Sequence, residues 1–309
     1  MLEPCIEVVG LSIKPIKSCG IIDVQEAHVA DRGLMVGQVR DRQWMLVDKN
    51  NVHVTQRELD KGRNKLARVH IEIDTDFPDQ IIVSAKGMGW NVIISPSAVT
   101  DTAITAFMHK DDDGVREKVP VHVMGGSGAA WFQQYLGDDG LKLVYQKDED
   151  VRYCNENFAL HPFANRMSLG DGYPALLTTG PTLRQAEQGI GKPKPKNRFR
   201  ENIFIDGDLK PNEENGFAFI QCGDVILAGV KPCTRCPMTG VDQATGEYEG
   251  SEVLKWLGHN KLVDYRHRNA RVHGAVFGEN LIPVTYGPIR VGDKVRVMSR
   301  KPAPEFIVK

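Results

Sequence analysis

Short apolar runs, each soon broken by Gly, Pro, Asn or Asp, constrain this chain more than any other feature. Residues 5–13 form a strand-like run that stops at Lys14-Pro15. Residues 44–47 and 52–55 flank Asp48-Lys49-Asn50-Asn51, the pattern of a hairpin. Residues 69–73 alternate with period two, as a half-buried strand does. Residues 80–84 and 90–95 bracket Lys86-Gly87-Met88-Gly89, and 119–124 end at Gly125-Gly126. The C-terminal third adds strand patterns at 202–205, 217–221, 225–229, 280–285 and 294–298. Helical signals are fewer. Residues 127–136 place Trp131, Phe132, Tyr135 and Leu136 on one face and stop before Gly137. Thr182 reads as an N-cap with Gln185 closing a capping box, and Ser251 as the cap of a helix bearing Val253, Leu254 and Leu257. Strands this short, with Gly turns, favour a barrel or mixed β architecture over a doubly wound sheet. No GxGxxG or P-loop pattern opens a helix, so dinucleotide and NTPase readings lack support. The predicted class is β-rich α+β with a few helices.

Composition excludes more than it selects. The 309 residues carry 39 Lys and Arg against 40 Asp and Glu, so overall charge gives no reason to expect nucleic acid or an anionic membrane as partner. No window approaches the roughly 20 apolar residues of a membrane span, so no membrane segment is expected. Met1-Leu2-Glu3-Pro4-Cys5 lacks the basic flank and apolar run of a signal peptide, which predicts a cytoplasmic protein. Six sparse, unevenly spaced cysteines predict free thiols in a reducing compartment. Asp111-Asp112-Asp113-Gly114 and residues 146–150 read as charged loops. Lys192-Pro193-Lys194-Pro195-Lys196 reads as a solvated, extended loop in preference to an anion site.

The segment of most chemical interest runs Lys231-Pro232-Cys233-Thr234-Arg235-Cys236-Pro237-Met238-Thr239-Gly240. It holds a C-x-x-C pair in a Pro- and Gly-rich loop, and three readings compete. A structural zinc site wants about four ligands, and Cys222 is the one other thiol nearby. A thioredoxin-like dithiol wants a helix start within a βαβ unit. A single thiolate could instead ligate a soft or high-valent metal, with Arg235 favouring the thiolate. Spacing does not choose among these and a plain buried cysteine. A second feature is cationic clusters beside strand ends: Lys14 to Gly20, Arg40-Asp41-Arg42, and Arg198-Phe199-Arg200-Glu201-Asn202. Such loops suit a phosphate or polar heterocycle, and Thr182 at a helix N-terminus would add an amide-lined seat. Each alone is more often a surface salt bridge.

Taken in order, these motifs resemble a known family. Lys14-Pro15-Ile16-Lys17-Ser18-Cys19, Val39-Arg40-Asp41-Arg42-Gln43-Trp44 and Val54-Thr55-Gln56-Arg57 are similar to the N-terminal β-barrel domain that accompanies MOSC domains. Tyr173-Pro174-Ala175-Leu176-Leu177-Thr178-Thr179, Phe199-Arg200-Glu201-Asn202-Ile203, Cys233-Thr234-Arg235-Cys236 and Phe277-Gly278-Glu279-Asn280-Leu281 resemble the MOSC domain itself. The overall likeness is to the mitochondrial amidoxime-reducing components and their bacterial counterparts.

The resemblance implies a barrel-like β domain over 1–125 and a MOSC β-barrel domain over 126–309. It implies a molybdenum cofactor (Mo-molybdopterin) between them, with Cys236 as metal ligand and catalytic residue. By the same carry-over, Lys17, Ser18, Arg42, Arg200 and Asn202 hold the pterin and its phosphate, with Thr179, Thr182, Thr234 and Arg235 contributing. Cys233 then becomes a small core residue or a supporting neighbour. The implied reaction reduces small N-hydroxylated substrates, amidoximes and hydroxylamines, to amidines and amines. The chain to Lys309 carries no iron–sulfur cysteine cluster, so the implied electron donor is a separate flavin reductase or cytochrome b5-type protein. Two positions depart from the family pattern. Pro237 removes a backbone N–H just after the ligand, and Asn280 stands where vertebrate relatives carry an aromatic residue. MOSC domains also occur fused to cofactor sulfurases, so the alternative is a sulfur-carrier or cofactor maturation and storage protein with a persulfide on Cys236.

Overall fold

Two parallel strands cannot be joined by a tight turn, and this constraint organises the centre of the fold. In the computed structural model, which describes residues 5–110, 115–161 and 164–308, strands Ala175–Thr179 and Ile203–Gly207 pair in parallel. Among the described residues there are three α-helices: α1 (Gly128–Leu136), α2 (Gly180–Ile190) and α3 (Glu252–Asn260). Helix α2 lies within the connection between the two parallel strands. The predicted acidic loop at 111–114 lies outside the described residues.

Around that pair runs a nine-stranded sheet. Its order is Ile22–Val24, Ile6–Ile13, Ile203–Gly207, Ala175–Thr179, Ala270–Pro283, Val225–Thr234, Phe217–Cys222 and Val295–Arg300, with Leu262–His267 branching from Ala270–Pro283. The hydrogen-bonded path is open, and a bridge between Glu7 and Lys294 brings the Ile6–Ile13 strand beside the start of Val295–Arg300. Three smaller sheets come largely from the first half of the chain. Strand pairing stitches distant parts together: Ile6–Ile13 joins Ile203–Gly207, Lys142–Tyr145 joins Trp44–Val47, and Gly287–Arg290 joins Glu26–Ala30. Pairing therefore runs past residue 125, where the sequence alone suggests a boundary. The strand-rich class with few helices agrees with the sequence reading. No helix among the described residues is long and apolar enough to cross a membrane.

Local chemistry explains where the elements end and where the sequence reading needs correction. Helix α1 stops at Gly137, whose φ of 67° suits glycine, and its N–H closes on Gln133 O. Helix α2 is capped by Thr179, not Thr182: Thr179 is the last extended residue of its strand, and its hydroxyl accepts from the Thr182 N–H. Pro181 sits in the first turn, where its missing N–H has no cost. Gln185 accepts from Asn212 instead of reaching back. The expected turn-back at 44–55 forms, with Asp48 N–H bonded to Val52 O, Val54 N–H to Leu46 O and an antiparallel Val47–His53 bridge. The main ladder of Trp44–Val47, however, is with Lys142–Tyr145. The Lys192–Lys196 stretch is an extended loop with Lys192, Pro193 and Pro195 exposed, as read, but its three lysines are all paired. Lys192 pairs with Glu252, buried Lys194 with Glu249, and Lys196 with Asp23 and Glu201.

The nine-stranded sheet encloses one carboxylate whose titration is testable. Glu279 is fully buried, accepts from Lys301 Nζ at 2.6 Å and from Asn215 Nδ2 at 3.0 Å. Burial pushes its pKa up to about 7, against the pull of Lys301. Between its ordinary value and about 7, the folded state binds more protons than the unfolded state. Its contribution to stability is complete below the unfolded pKa and is lost as pH rises to about 7, with a slope of up to about 1.4 kcal/mol per pH unit. Glu279→Gln should remove this slope. Urea unfolding of both proteins between pH 4.5 and 7 checks it; parallel pH profiles would refute the assignment.

Candidate functional site

Loops and strand ends from both halves of the chain converge on one cavity. The segment after Ile6–Ile13 brings Lys17 and Ser18, and the turn before Trp44–Val47 brings Arg42. Arg200 and Asn202 arrive just before Ile203–Gly207. The end of Val225–Thr234 and the loop beyond it bring Cys233, Thr234, Arg235 and Cys236. This strand bulges twice against Ala270–Pro283, and Gly278 permits the facing kink: its φ is 81°, and an added Cβ would lie 2.4 Å from Leu177 O.

Three cavity residues hold strained backbones. Ser18, Arg42 and Arg200 have φ of 66°, 55° and 54°, a left-handed conformation that side chains rarely adopt. Such strain persists where surrounding contacts over-determine it. Here the contacts are visible. Fully buried Lys14 donates from Nζ to Ser12 Oγ at 3.1 Å and to the backbone carbonyls of Arg200 and Glu201. Its N–H donates to Asp41 Oδ1 at 2.7 Å, and the Arg42 N–H donates to Lys14 O at 2.8 Å. One buried lysine thus ties together the turns that carry Arg42 and Arg200. Burial pulls its pKa down to about 7, with Asp41 opposing.

The cavity is strongly cationic although the chain is not. Lys17, Arg42, Arg57, Arg200, Lys231 and Arg235 line it, against a single lining carboxylate, Asp171. Burial lowers Lys17 to about 8, with Asp171 opposing, and lowers Arg200 to about 10, with Arg42 adding to the effect. The Asp171 side chain is largely exposed, and Lys17 and Arg57 hold its carboxyl well below the ordinary value. Burial, reinforced by Lys17, holds His53 well below the ordinary histidine value, so its ring is neutral near pH 7. The His53 ring lies 3.3 Å from Ser18 Oγ.

Two thiols share this cavity. Cys236 and Cys233 are both half-buried and free. Cys233 is therefore not a core residue, because the bulged strand end turns it into the cavity. Of the two thiols, Arg235 engages Cys233: its Nη1 donates to Cys233 Sγ at 3.0 Å, and its Nη2 to Phe199 O at 2.7 Å. Among the described residues, no cluster of three His, Cys, Asp or Glu side chains could hold a metal alone. That leaves the four-ligand zinc reading without a ligand set.

Thr179 and Thr182 lie elsewhere. Their hydroxyls bond each other and the buried carboxylate of Glu214, at 3.2 and 2.8 Å. Glu214 thus fills the start of α2, and no anion seat opens there. Sequence reasoning assigned no role to His53, Arg57, Asp171 or Lys231. Arg57 and Lys231 stand inside quoted motifs without a role of their own, and Asp171 is a carboxylate in the Gly170-Asp171-Gly172 turn just ahead of one.

Residues 5–139 match the MOSC N-terminal beta barrel domain, and residues 164–296 match the MOSC domain. The chain is a MOSC protein. This MOSC chain is 28% identical over 293 residues to mitochondrial amidoxime reducing component 2 of Bos taurus, covering 93% of itself and 82% of that relative. It is 25% identical over 301 residues to mitochondrial amidoxime-reducing component 1 of Homo sapiens, covering 97% and 85%. It is 30% identical over 244 residues to a molybdenum cofactor sulfurase of Drosophila grimshawi, covering 78% of this chain but 29% of that longer protein. Of these relatives, the sulfurase is named for the molybdenum cofactor and the other two for amidoxime reduction.

Proposed function

We propose that the cavity holds a molybdenum–pterin cofactor and that the protein reduces N-hydroxylated compounds. One observation carries the reading: six cations and two thiols, drawn from both halves of the chain, face one carboxylate in a single cavity. The donor set fits the group. Lys17, Ser18, Arg42, Arg200 and Asn202 would hold the pterin and its phosphate, and the Cys236 thiolate would hold the metal. Thr234 and Arg235 would contribute; the buried Nε of Arg235 has no partner among the described residues. When bound, the cofactor supplies a two-electron redox couple. The net reaction takes an amidoxime, two electrons and two protons to an amidine and water. The residues orient the reactants and exclude bulk water. Lys17 Nζ carries a proton at neutral pH, and Asn280 Nδ2 is fixed by Lys231 O at 3.0 Å. The electrons come from a separate flavin reductase or cytochrome b5-type donor.

A second reading has its own support. Cys233 shares the cavity with Cys236, and a sulfurase is among the relatives. In a sulfur carrier, Cys236 would bear a persulfide. Protein purified from a host that makes the cofactor separates the two. Near-equimolar molybdenum and pterin, with benzamidoxime reduction by chemically reduced methyl viologen, supports the reductase. Metal-free protein with labile sulfur on Cys236 would overturn it in favour of the carrier.

A further inference from the structure

The cations of the cavity differ in what they already hold. Lys17 donates to Asp171. Arg42 pairs with Asp41. Arg200 donates to Gln243 Oε1 at 2.8 Å and Cys19 O at 2.9 Å. Arg235 holds Cys233 and Phe199 O. Lys231 lies over the Phe158 ring, 5.1 Å from its centroid. Arg57 stands apart. Among the described residues its guanidinium makes no hydrogen bond and no ion pair, and its Nε is shut away from solvent without a partner. A buried guanidinium N–H without an acceptor carries an uncompensated desolvation cost, which a ligand oxygen would relieve.

The surroundings define that ligand. Arg57 sits just beyond Val54, Thr55 and Gln56, on the wall formed by His53 and Thr55. Beside the guanidinium the wall offers an imidazole and a hydroxyl. The one lining carboxylate, Asp171, acts on Arg57 only through space, because its hydrogen bond goes to Lys17, so the Arg57 N–H groups still lack an acceptor. A planar guanidinium fork matches a carboxylate in bidentate fashion, and the single charges of the two groups cancel.

We propose that Arg57 is the carboxylate-recognition residue of the cavity, and that the preferred substrates are N-hydroxylated compounds bearing a carboxylate. The substrate part rests on the reductase reading given above. Arg57 then fixes substrate orientation through its charged end, and the N-hydroxyl end is left to face Cys236. Selectivity of this kind resides in KM, because the fork binds the ground state and the transition state alike.

The test compares benzamidoxime with 4-carboxybenzamidoxime on molybdenum-loaded wild type, Arg57→Gln and Arg57→Lys. Wild type should favour the carboxylated substrate by about tenfold or more in kcat/KM, chiefly through KM. Arg57→Gln should bring the ratio close to one, and Arg57→Lys should recover part of it, at wild-type molybdenum content. A wild-type ratio near one would overturn the proposal. So would loss of molybdenum in Arg57→Gln, which would make Arg57 a cofactor ligand. If the loaded protein reduces neither compound, the reductase reading fails, and calorimetric titration with benzoate decides on Arg57. One-to-one benzoate binding, weakened about tenfold or more in Arg57→Gln, upholds the carboxylate site. Equal binding by both proteins, or none by wild type, removes it.

Discussion

Cys236→Ala is expected to yield folded protein without molybdenum, whereas Cys233→Ala keeps the metal. The two thiols share one cavity, so their positions alone do not rank them. Their partners do. Cys233 Sγ already accepts from Arg235 Nη1 at 3.0 Å, while Arg235 Nη2 donates separately to Phe199 O. Cys236 has no such engagement of its sulfur among the described residues. It begins the short helical turn Pro237–Gly240, and that turn is held through its backbone, with Thr239 N–H and Oγ1 both bonded to Cys236 O. The fixed backbone aims a free thiol. If Cys236 holds the metal as proposed, removing the thiol deletes the protein–metal bond, so amidoxime reduction should fall at least about a thousandfold, to the level of cofactor-free protein. Removing Cys233 disturbs only a neighbour of the ligand, a change that costs about tenfold to a hundredfold in metal affinity in comparable sites. Metal analysis of the two purified variants, with circular dichroism to show that both fold, is the measurement. Retention of molybdenum by Cys236→Ala would remove Cys236 from the metal.

The second large effect is structural and lies behind the same wall. Phe277 is buried, and its ring stacks on Phe199 with centroids 3.6 Å apart and planes 9° from parallel. Lys261 Nζ sits 5.3 Å from the Phe277 centroid and has no hydrogen-bond partner among the described residues. The Arg235 guanidinium carbon lies 5.5 Å from the Phe199 centroid. The order is therefore lysine, ring, ring, arginine, ending at the cavity. Phe277→Ala removes one ring from this stack. It leaves a void and strips a buried ammonium of an aromatic neighbour, so a loss of about 3–5 kcal/mol in unfolding free energy is expected. Arg235 then rests on a Phe199 free to shift, so molybdenum content should fall as well. Phe277→Leu refills most of the space and should recover most of the stability. Urea unfolding gives the first quantity and metal analysis the second. A loss below about 1 kcal/mol for the alanine variant would show that the site collapses around the void, and the stack would then carry no such weight.

Much of the strand framework was legible because those strands bury one face. Residues 69–73 alternate in sequence, and Ile71 is buried where its neighbours His70 and Glu72 are exposed. Strands that lack a consistent buried face left no such pattern. Val99–Lys110 and Leu262–His267 were not visible: the first half of one buries no residue and the other buries only Val263, and their partners decide their conformation. Thr182 misled for a related reason. A capping box can be written in letters, but the end of the preceding strand decides which residue becomes the cap.

The sequence by itself determined the chemistry available: a cysteine pair in a stiff loop, cations beside strand ends, and their order along the chain. Eight of the ten site residues it named line one cavity. Tertiary structure alone decided the rest. It turned Cys233 inward through a bulged strand, aimed Arg235 at that thiol, and sent Thr179 and Thr182 to Glu214. It also left the Arg57 guanidinium without a hydrogen bond among the described residues, in a cavity where the other arginines each make one. The physical reason is common to all of these. Residue type sets what a side chain can bond, but which partner lies within about 3 Å depends on strands brought together from far apart in the chain.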